Sequence, residues 1–148
     1  MDLTITGWKG ARDYRATKPT YAIRIYSAID PFDYPLPFEF PLHDSPLLTI
    51  DKYVFDDVWP GGFIPAGSRI FEDTLARRIL TDFQNRGRTK EALLVHCSRG
   101  MNRSPAVGIA LNAIFKLGYD PEVLKRQYPH TNRYIYDTLI HVARKMRL

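Results

Sequence analysis

The run Val95-His96-Cys97-Ser98-Arg99-Gly100-Met101-Asn102-Arg103-Ser104-Pro105 constrains this chain more than any other stretch. Just upstream, Ala92-Leu93-Leu94-Val95 is a short apolar block, as expected of a buried strand. Downstream, a helix opens with proline in its first turn, where the missing N–H removes no intrahelical bond. A strand, a tight loop and a helix start aim a set of backbone N–H groups at one point. Such a cradle binds anions, phosphate above all. The only cysteine of the chain, Cys97, lies at its floor, six positions before Arg103. The N–H groups, the helix N-terminus and Arg103 all favour negative charge there, so the expected form of the sulfur is the thiolate.

Elsewhere the pattern alternates between strand and helix. Residues 3–8 and 21–26 carry the β-branched and aromatic residues of strands, the second with alternation. Residues 47–50 and 52–55 read as another strand, interrupted at Asp51. Between Pro31 and Pro46, the further prolines Pro35, Pro37 and Pro41 and the pair His43-Asp44 predict an irregular excursion over the surface. Trp59-Pro60-Gly61-Gly62 is a loop. A helix is expected from an N-cap at Ser68 to about Asn85, stopped by Gly87, with the apolar stripe Phe71, Leu75, Ile79 and Phe83. The helix opening at Ser104 carries Val107, Leu111, Ile114 and Phe115 and ends at Gly118; Gly108 within it predicts close packing against a neighbouring backbone. Asp120-Pro121 starts a short helix, and a last one begins near Thr131 or Asn132 with the stripe Ile135, Leu139, Val142 and Met146. A reactive loop after a buried strand, within this mixture, predicts an α/β fold.

With 148 residues, 45% of them hydrophobic, the chain has room for one domain with a core, residues 1–148, and not comfortably for two. No apolar run approaches the roughly 18–20 residues of a membrane span, and the N-terminus lacks a charged-then-apolar leader. A soluble cytoplasmic protein is expected, with a monomer favoured. One cysteine leaves no internal disulfide and no multi-cysteine zinc site. His43, His96, His130 and His141 have no ligand spacing, so neither a metal nor a cofactor is expected. The net charge of +5 favours anionic partners: phosphorylated proteins, phosphoinositides or nucleic acid.

His-Cys, five residues, then Arg-Ser resembles the active-site loop of cysteine-dependent protein tyrosine phosphatases, and with its glycine and final proline it is similar to the dual-specificity form, His-Cys-x-x-Gly-x-x-Arg-Ser-Pro. Upstream, Tyr53-Val54-Phe55-Asp56-Asp57 resembles the segment that carries the general acid of that family; downstream, Tyr128-Pro129-His130-Thr131-Asn132 resembles the Pro-x-x-Asn before its last helix. These landmarks span the chain from about residue 47 to the C-terminus. The resemblance implies a single-domain α/β phosphatase fold, a central sheet flanked by helices with a strand–loop–helix active site. One departure stands out: Arg99 occupies a position where the family commonly has a small residue.

Cysteine-based hydrolysis of a phosphate monoester needs a nucleophile, a phosphate clamp, a proton donor and support for the leaving sulfur. Cys97 is the nucleophile. Arg103 clamps two phosphate oxygens with its planar fork, and the N–H groups of Ser98, Arg99, Gly100, Met101, Asn102 and Arg103 take the remaining oxygens. Ser104 donates to the sulfur, and His96, by resemblance, orients the loop. The proton donor is a carboxylic acid on a mobile loop. Matching the family's strand end, where the acid follows one polar residue, selects Asp57 over Asp56, with His43-Asp44 as an outlying alternative. Arg99 faces either a second anion on the substrate or solvent.

The expected substrate is a phosphorylated protein, on tyrosine and on serine or threonine as well. Three other readings stay open. Asn102-Arg103 resembles the loop of RNA 5′-triphosphatases of the same superfamily, and the basic chain also suits phosphoinositides. A phosphate-binding pseudophosphatase is the third, against which stands the presence of Cys97, Arg103 and a candidate acid.

Overall fold

The computed structural model describes residues 1–29 and 40–148; Pro31, Pro35 and Pro37 lie outside the described residues. Among the described residues four strands, β1 (Asp2–Thr6), β2 (Thr20–Tyr26), β3 (Leu48–Val54) and β4 (Ala92–His96), form one parallel sheet in the order β1-β4-β2-β3. The helices are α1 (Trp8–Asp13), α2 (Asp73–Asp82), which runs on into a π-helical turn (Phe83–Gly87), α3 (Arg103–Phe115), α4 (Pro121–Gln127) and α5 (Arg133–Lys145). The architecture is α/β, a central parallel sheet flanked by helices. No helix among the described residues is long and apolar enough to cross a membrane.

Parallel strands are covered on both faces, so β2 and β4 are buried at every residue rather than on alternate ones. Alternation distributes their side chains instead. Tyr21, Ile23, Ile25, Leu93 and Val95 point into the larger core, with Phe71, Ile79 and Phe83 and the inner faces of α3 and α5. Ala22 and Leu94 point the other way, onto Ala11 of α1 and Leu42. Each large apolar side chain so buried contributes about 1.5–3 kcal/mol. The stripes expected for α2 and α5 are buried at Leu75, Ile79, Ile135, Leu139 and Val142; Phe71 and Phe83 are buried just outside α2, and Met146, at the end of α5, is half-buried. α3 differs, since every residue from Arg103 to Asn112 is buried.

Several local expectations are overturned by long-range contacts. The first strand stops at Thr6, because Gly7 caps α1 and Trp8 begins it. Asp51 does not interrupt β3; it pairs with Ile23 in the ladder, while its carboxylate accepts from Tyr21 Oη and lies 3.3 Å from Arg86 Nη1. Ser68 is not the helix cap. Its hydroxyl bonds Pro65 O, and Arg69 exchanges two bonds with Asp56 that keep the chain out of helix until Asp73. Lys116, not Gly118, takes the left-handed position that ends α3. Gly108 packs against the side chain of Ile5, 2.7 Å from where its Cβ would stand, not against backbone. Asp120 and Asn132 cap α4 and α5 as expected, accepting from Glu122 N and Ile135 N.

All four strands end at the same edge of the sheet. α1 follows β1 on one face and α3 follows β4 on the other, although β1 and β4 are neighbours. At such a divergence a crevice opens above the carboxyl ends of the strands.

Candidate active site

The segment 98–102 lies in that crevice, between β4 and α3. Gly100 turns it with φ +76°, a conformation that costs an L-residue about 1–2 kcal/mol. The turn brings Gly100 N to 3.3 Å from Cys97 Sγ, and the first turn of α3 brings Ser104 N to 3.4 Å. Ser104 Oγ is 3.2 Å from the same sulfur and 3.2 Å from the Thr6 carbonyl. A hydroxyl has one proton and the carbonyl can only accept. A thiol at Cys97 therefore leaves the Ser104 proton on Thr6 O, and a thiolate draws it to sulfur.

The floor under this segment is the β1–α1 junction. Cys97 N donates to Thr6 O at 3.3 Å and Trp8 N to Ser98 O at 2.9 Å. A Cβ on Gly7 would stand 2.8 Å from Ser98 O and from the carbonyl carbon and oxygen of Arg99; one on Gly100 would stand 2.4 Å from Gly7 N. The two glycines let two backbones lie against each other.

Arg103 is buried, and the ends of two other strands hold its guanidinium. Nη1 donates to Ser27 Oγ at 2.6 Å, just past β2, and to Phe55 O at 3.0 Å, just past β3. Nη2 reaches Ser98 Oγ at 3.3 Å across the loop. Arg99 and Met101 are exposed. The Asn102 side chain donates from Nδ2 to His130 O at 2.6 Å, and the main-chain carbonyl of Asn102 accepts from Asn132 N at 3.1 Å.

The two aspartates after β3 have different surroundings. Asp56 is 3% exposed, and its carboxylate accepts from the main-chain N–H groups of Ala28, Ile29 and Arg69 at 3.1, 3.4 and 2.7 Å. It ties the ends of β2 and β3 to the approach to α2. Asp57 is half-buried and accepts from Asn132 Nδ2 at 2.9 Å. Asn132 also caps α5 and donates to Val58 O, so one side chain links Asp57 to the helix whose preceding segment holds Asn102. His43 and Asp44 are exposed.

Behind the loop, His96 is buried on the α1 face of the sheet. Arg24 Nε donates to its Nε2 at 2.9 Å, and its Nδ1 lies 3.4 Å from Cys97 O. Burial, then the charge of Arg24, push its pKa down from 6.5 to about 4; the Cys97 carbonyl pulls it up, and Arg103 adds the smallest downward push.

The structure thus brings Cys97, Ser98, Gly100, Arg103 and Ser104 together, with His96 behind them and Asp57 joined to their neighbour Asn102 through Asn132. Thr6, Gly7, Arg24 and Ser27 also belong to the arrangement, and the sequence did not single them out. The signal at Gly7, a glycine directly after a strand, was present but falls within the residues read as strand. Among the described residues no group of three His, Cys, Asp or Glu side chains is placed to hold a metal ion.

No protein-family model matches the chain, and no curated protein matches it. Among solved structures it is similar to one titled "Crystal structure of Tk-PTP in the active form", at 13% identity and a TM-score of 0.46, over 97% of this chain and 92% of that one.

Proposed function

We propose that this chain hydrolyses phosphate monoesters through a phosphocysteine intermediate, on phosphorylated proteins carrying phosphotyrosine and also phosphoserine or phosphothreonine. The observation that carries the reading is the convergence on Cys97 Sγ of two main-chain N–H groups and the Ser104 hydroxyl, beside a buried arginine. This is a site for a negative sulfur and for the phosphoryl group it attacks. In the first step Cys97 Sγ bonds to phosphorus as the ester P–O bond breaks. Arg103 and the loop N–H groups hold the equatorial oxygens, and Asp57 gives its proton to the departing oxygen. In the second, water attacks the phosphocysteine, Asp57 takes a proton from it, and the S–P bond breaks. Cys97 leaves as thiolate with the Ser104 proton turned towards it, releasing inorganic phosphate.

Asn102 favours a protein substrate over an RNA 5′-triphosphate, because the side chain that carries the second resemblance is engaged by His130 O. The test is turnover on phosphopeptides, phosphoinositides and 5′-triphosphorylated RNA, with p-nitrophenyl phosphate as the general substrate. Cys97→Ser is expected to abolish turnover. Asp57→Asn is expected to lower kcat about 10²–10⁴-fold on a phosphoserine peptide, whose leaving group needs a proton. Asp56→Asn is expected to act on stability instead. A wild-type protein that binds phosphate yet turns over none of the panel would refute the reading in favour of a pseudophosphatase.

A further inference from the structure

Arg24 has no place in the chemistry above, yet a buried guanidinium under an anion site needs a reason. It is 4% exposed in the middle of the sheet. Taking a unit charge out of water is unfavourable by several kcal/mol before pairing, so chains retain such groups where they organise something. The register shows what Arg24 is set to organise. Thr6, His96 and Arg24 are cross-strand partners in one row at the carboxyl edge of the sheet. His96 and Arg24 therefore stand side by side on the α1 face, one residue before the loop.

The hydrogen bonds in this row have a fixed direction. Arginine has no acceptor, so the 2.9 Å contact between Arg24 Nε and His96 Nε2 requires Nε2 to be the bare nitrogen of the ring. The proton of the neutral imidazole is then on Nδ1, 3.4 Å from Cys97 O. Arg24 is itself steadied by Nη2 donating to Phe40 O at 2.8 Å and by the Phe40 ring 4.5 Å from its Cζ. The Tyr26 and Phe40 rings close around His96 at 6.1 and 5.7 Å. Among the described residues, the charged groups that act on the ring are Arg24 on β2 and Arg103 on α3, both cations that oppose its protonation. The imidazole stays neutral, so its role is directional.

We propose that Arg24 is a positioning residue for the anion cradle: by fixing His96 as the Nδ1–H tautomer it makes the ring hold the Cys97 carbonyl on the α1 side. A trans peptide is planar, with its C=O and N–H opposed. Holding Cys97 O towards His96 turns Ser98 N–H the other way, to the side where Gly100 N and Ser104 N converge on the sulfur. Arg24 thereby sets the first donor of the cradle from two residues away, without touching substrate.

The inference rests on the loop being the anion site of the proposed phosphatase, and its test needs no turnover. Ring nitrogen shifts of His96 are followed by NMR from pH 4 to 8 in the intact chain, and tungstate binding is measured by calorimetry. In the wild type Nδ1 is expected to carry the proton and Nε2 to be bare at neutral pH. Arg24→Met is expected to move the ring proton towards Nε2, to raise the His96 titration towards 6.5, and to weaken tungstate about ten-fold, the size of one charge-assisted hydrogen bond partly lost. Arg24→Lys, which keeps a charge and a donor, is expected to recover part of both. His96→Ala, which removes the link between Arg24 and the Cys97 carbonyl, is expected to weaken tungstate about as much as Arg24→Met, and combining the two to weaken it little further. A wild-type ring protonated on Nε2 overturns the proposal whether or not the variants fold, as does undiminished tungstate binding by Arg24→Met. A protein that shows the tautomer and the Arg24 dependence of tungstate binding but hydrolyses no phosphate ester keeps this inference and loses the phosphatase reading.

Discussion

Gly100→Ala places a Cβ at φ +76°, 2.4 Å from Gly7 N and 2.6 Å from Thr6 C. Two separate penalties follow. The left-handed backbone is unfavourable by about 1–2 kcal/mol for an L-residue, and forcing an extra carbon between two backbones by about 1–3 kcal/mol more. Together they predict a loss of about 2–5 kcal/mol, or a loop that lifts off β1 to escape it. Two other glycines separate these contributions. Gly61 has φ +89° with nothing within 4 Å of where its Cβ would stand, so Gly61→Ala carries the backbone strain alone. Gly7 has φ −91°, where any residue is comfortable, but its Cβ would meet backbone atoms of Ser98 and Arg99 at 2.8 Å, so Gly7→Ala carries the contact alone. Urea unfolding of the three variants gives the stabilities, and tungstate calorimetry reports the cradle. Gly100→Ala is expected to equal roughly the sum of the other two in stability, while both Gly7→Ala and Gly100→Ala weaken tungstate and Gly61→Ala does not. If Gly100→Ala proves no worse than Gly61→Ala, and Gly7→Ala is silent, the close approach of β1 is not what shapes the loop.

Two further expectations concern the groups behind and beside the sulfur. His96 is neutral when folded with its pKa lowered from 6.5 to about 4, so between those values the unfolded chain binds the extra proton. Its contribution is fully present above pH 6.5, declines as pH falls, and by pH 4 has removed about 3 kcal/mol, the difference of about 2.5 pH units times 1.36 kcal/mol. Urea midpoints against pH measure this, and a slope unchanged in His96→Asn would refute the assignment. Asn132→Ala removes a helix cap, about 1 kcal/mol, and also releases Asp57. It is expected to lower kcat on a phosphoserine peptide more than on p-nitrophenyl phosphate, whose leaving group needs no proton; an equal fall on both would count against Asn132 acting through Asp57.

How much of this could be read from the sequence depended on the range of each contact. The loop, the strand before it and the helix after it are local, and Cys97, Gly100, Arg103 and Ser104 were legible from their spacing. So were the buried stripes of α2 and α5, because a helix carries its own period. Asp56 and Asp57 were separable only by resemblance, since strand alternation orients the two oppositely without saying which faces inward. Their difference comes from Arg69 and Asn132, 13 and 75 residues further on. Ser68 has a good local cap signal that loses to the Asp56–Arg69 pairing. Arg24 read as an ordinary polar residue on a strand, and only the β2–β4 register sets it beside His96. Gly7 looked like strand because its partner, the Ser98–Arg99 backbone, lies some 90 residues away.

That last separation ties the site to the order in which the chain folds and comes apart. Ser104 and the Thr6 carbonyl it leans on are 98 residues apart, and β1 is paired only to β4 among the described strands. Contacts of such long range are closed late in folding, after the loop-closure entropy has been overcome. Edge elements also open locally at lower free energy than the centre of a sheet. The cradle is therefore among the last parts of the molecule to assemble, and fraying of a single five-residue strand removes its floor while β2, β4 and the larger core stay intact. Warming would silence the sulfur before it melts the protein, so that inactivation measures the stability of an edge rather than of the fold.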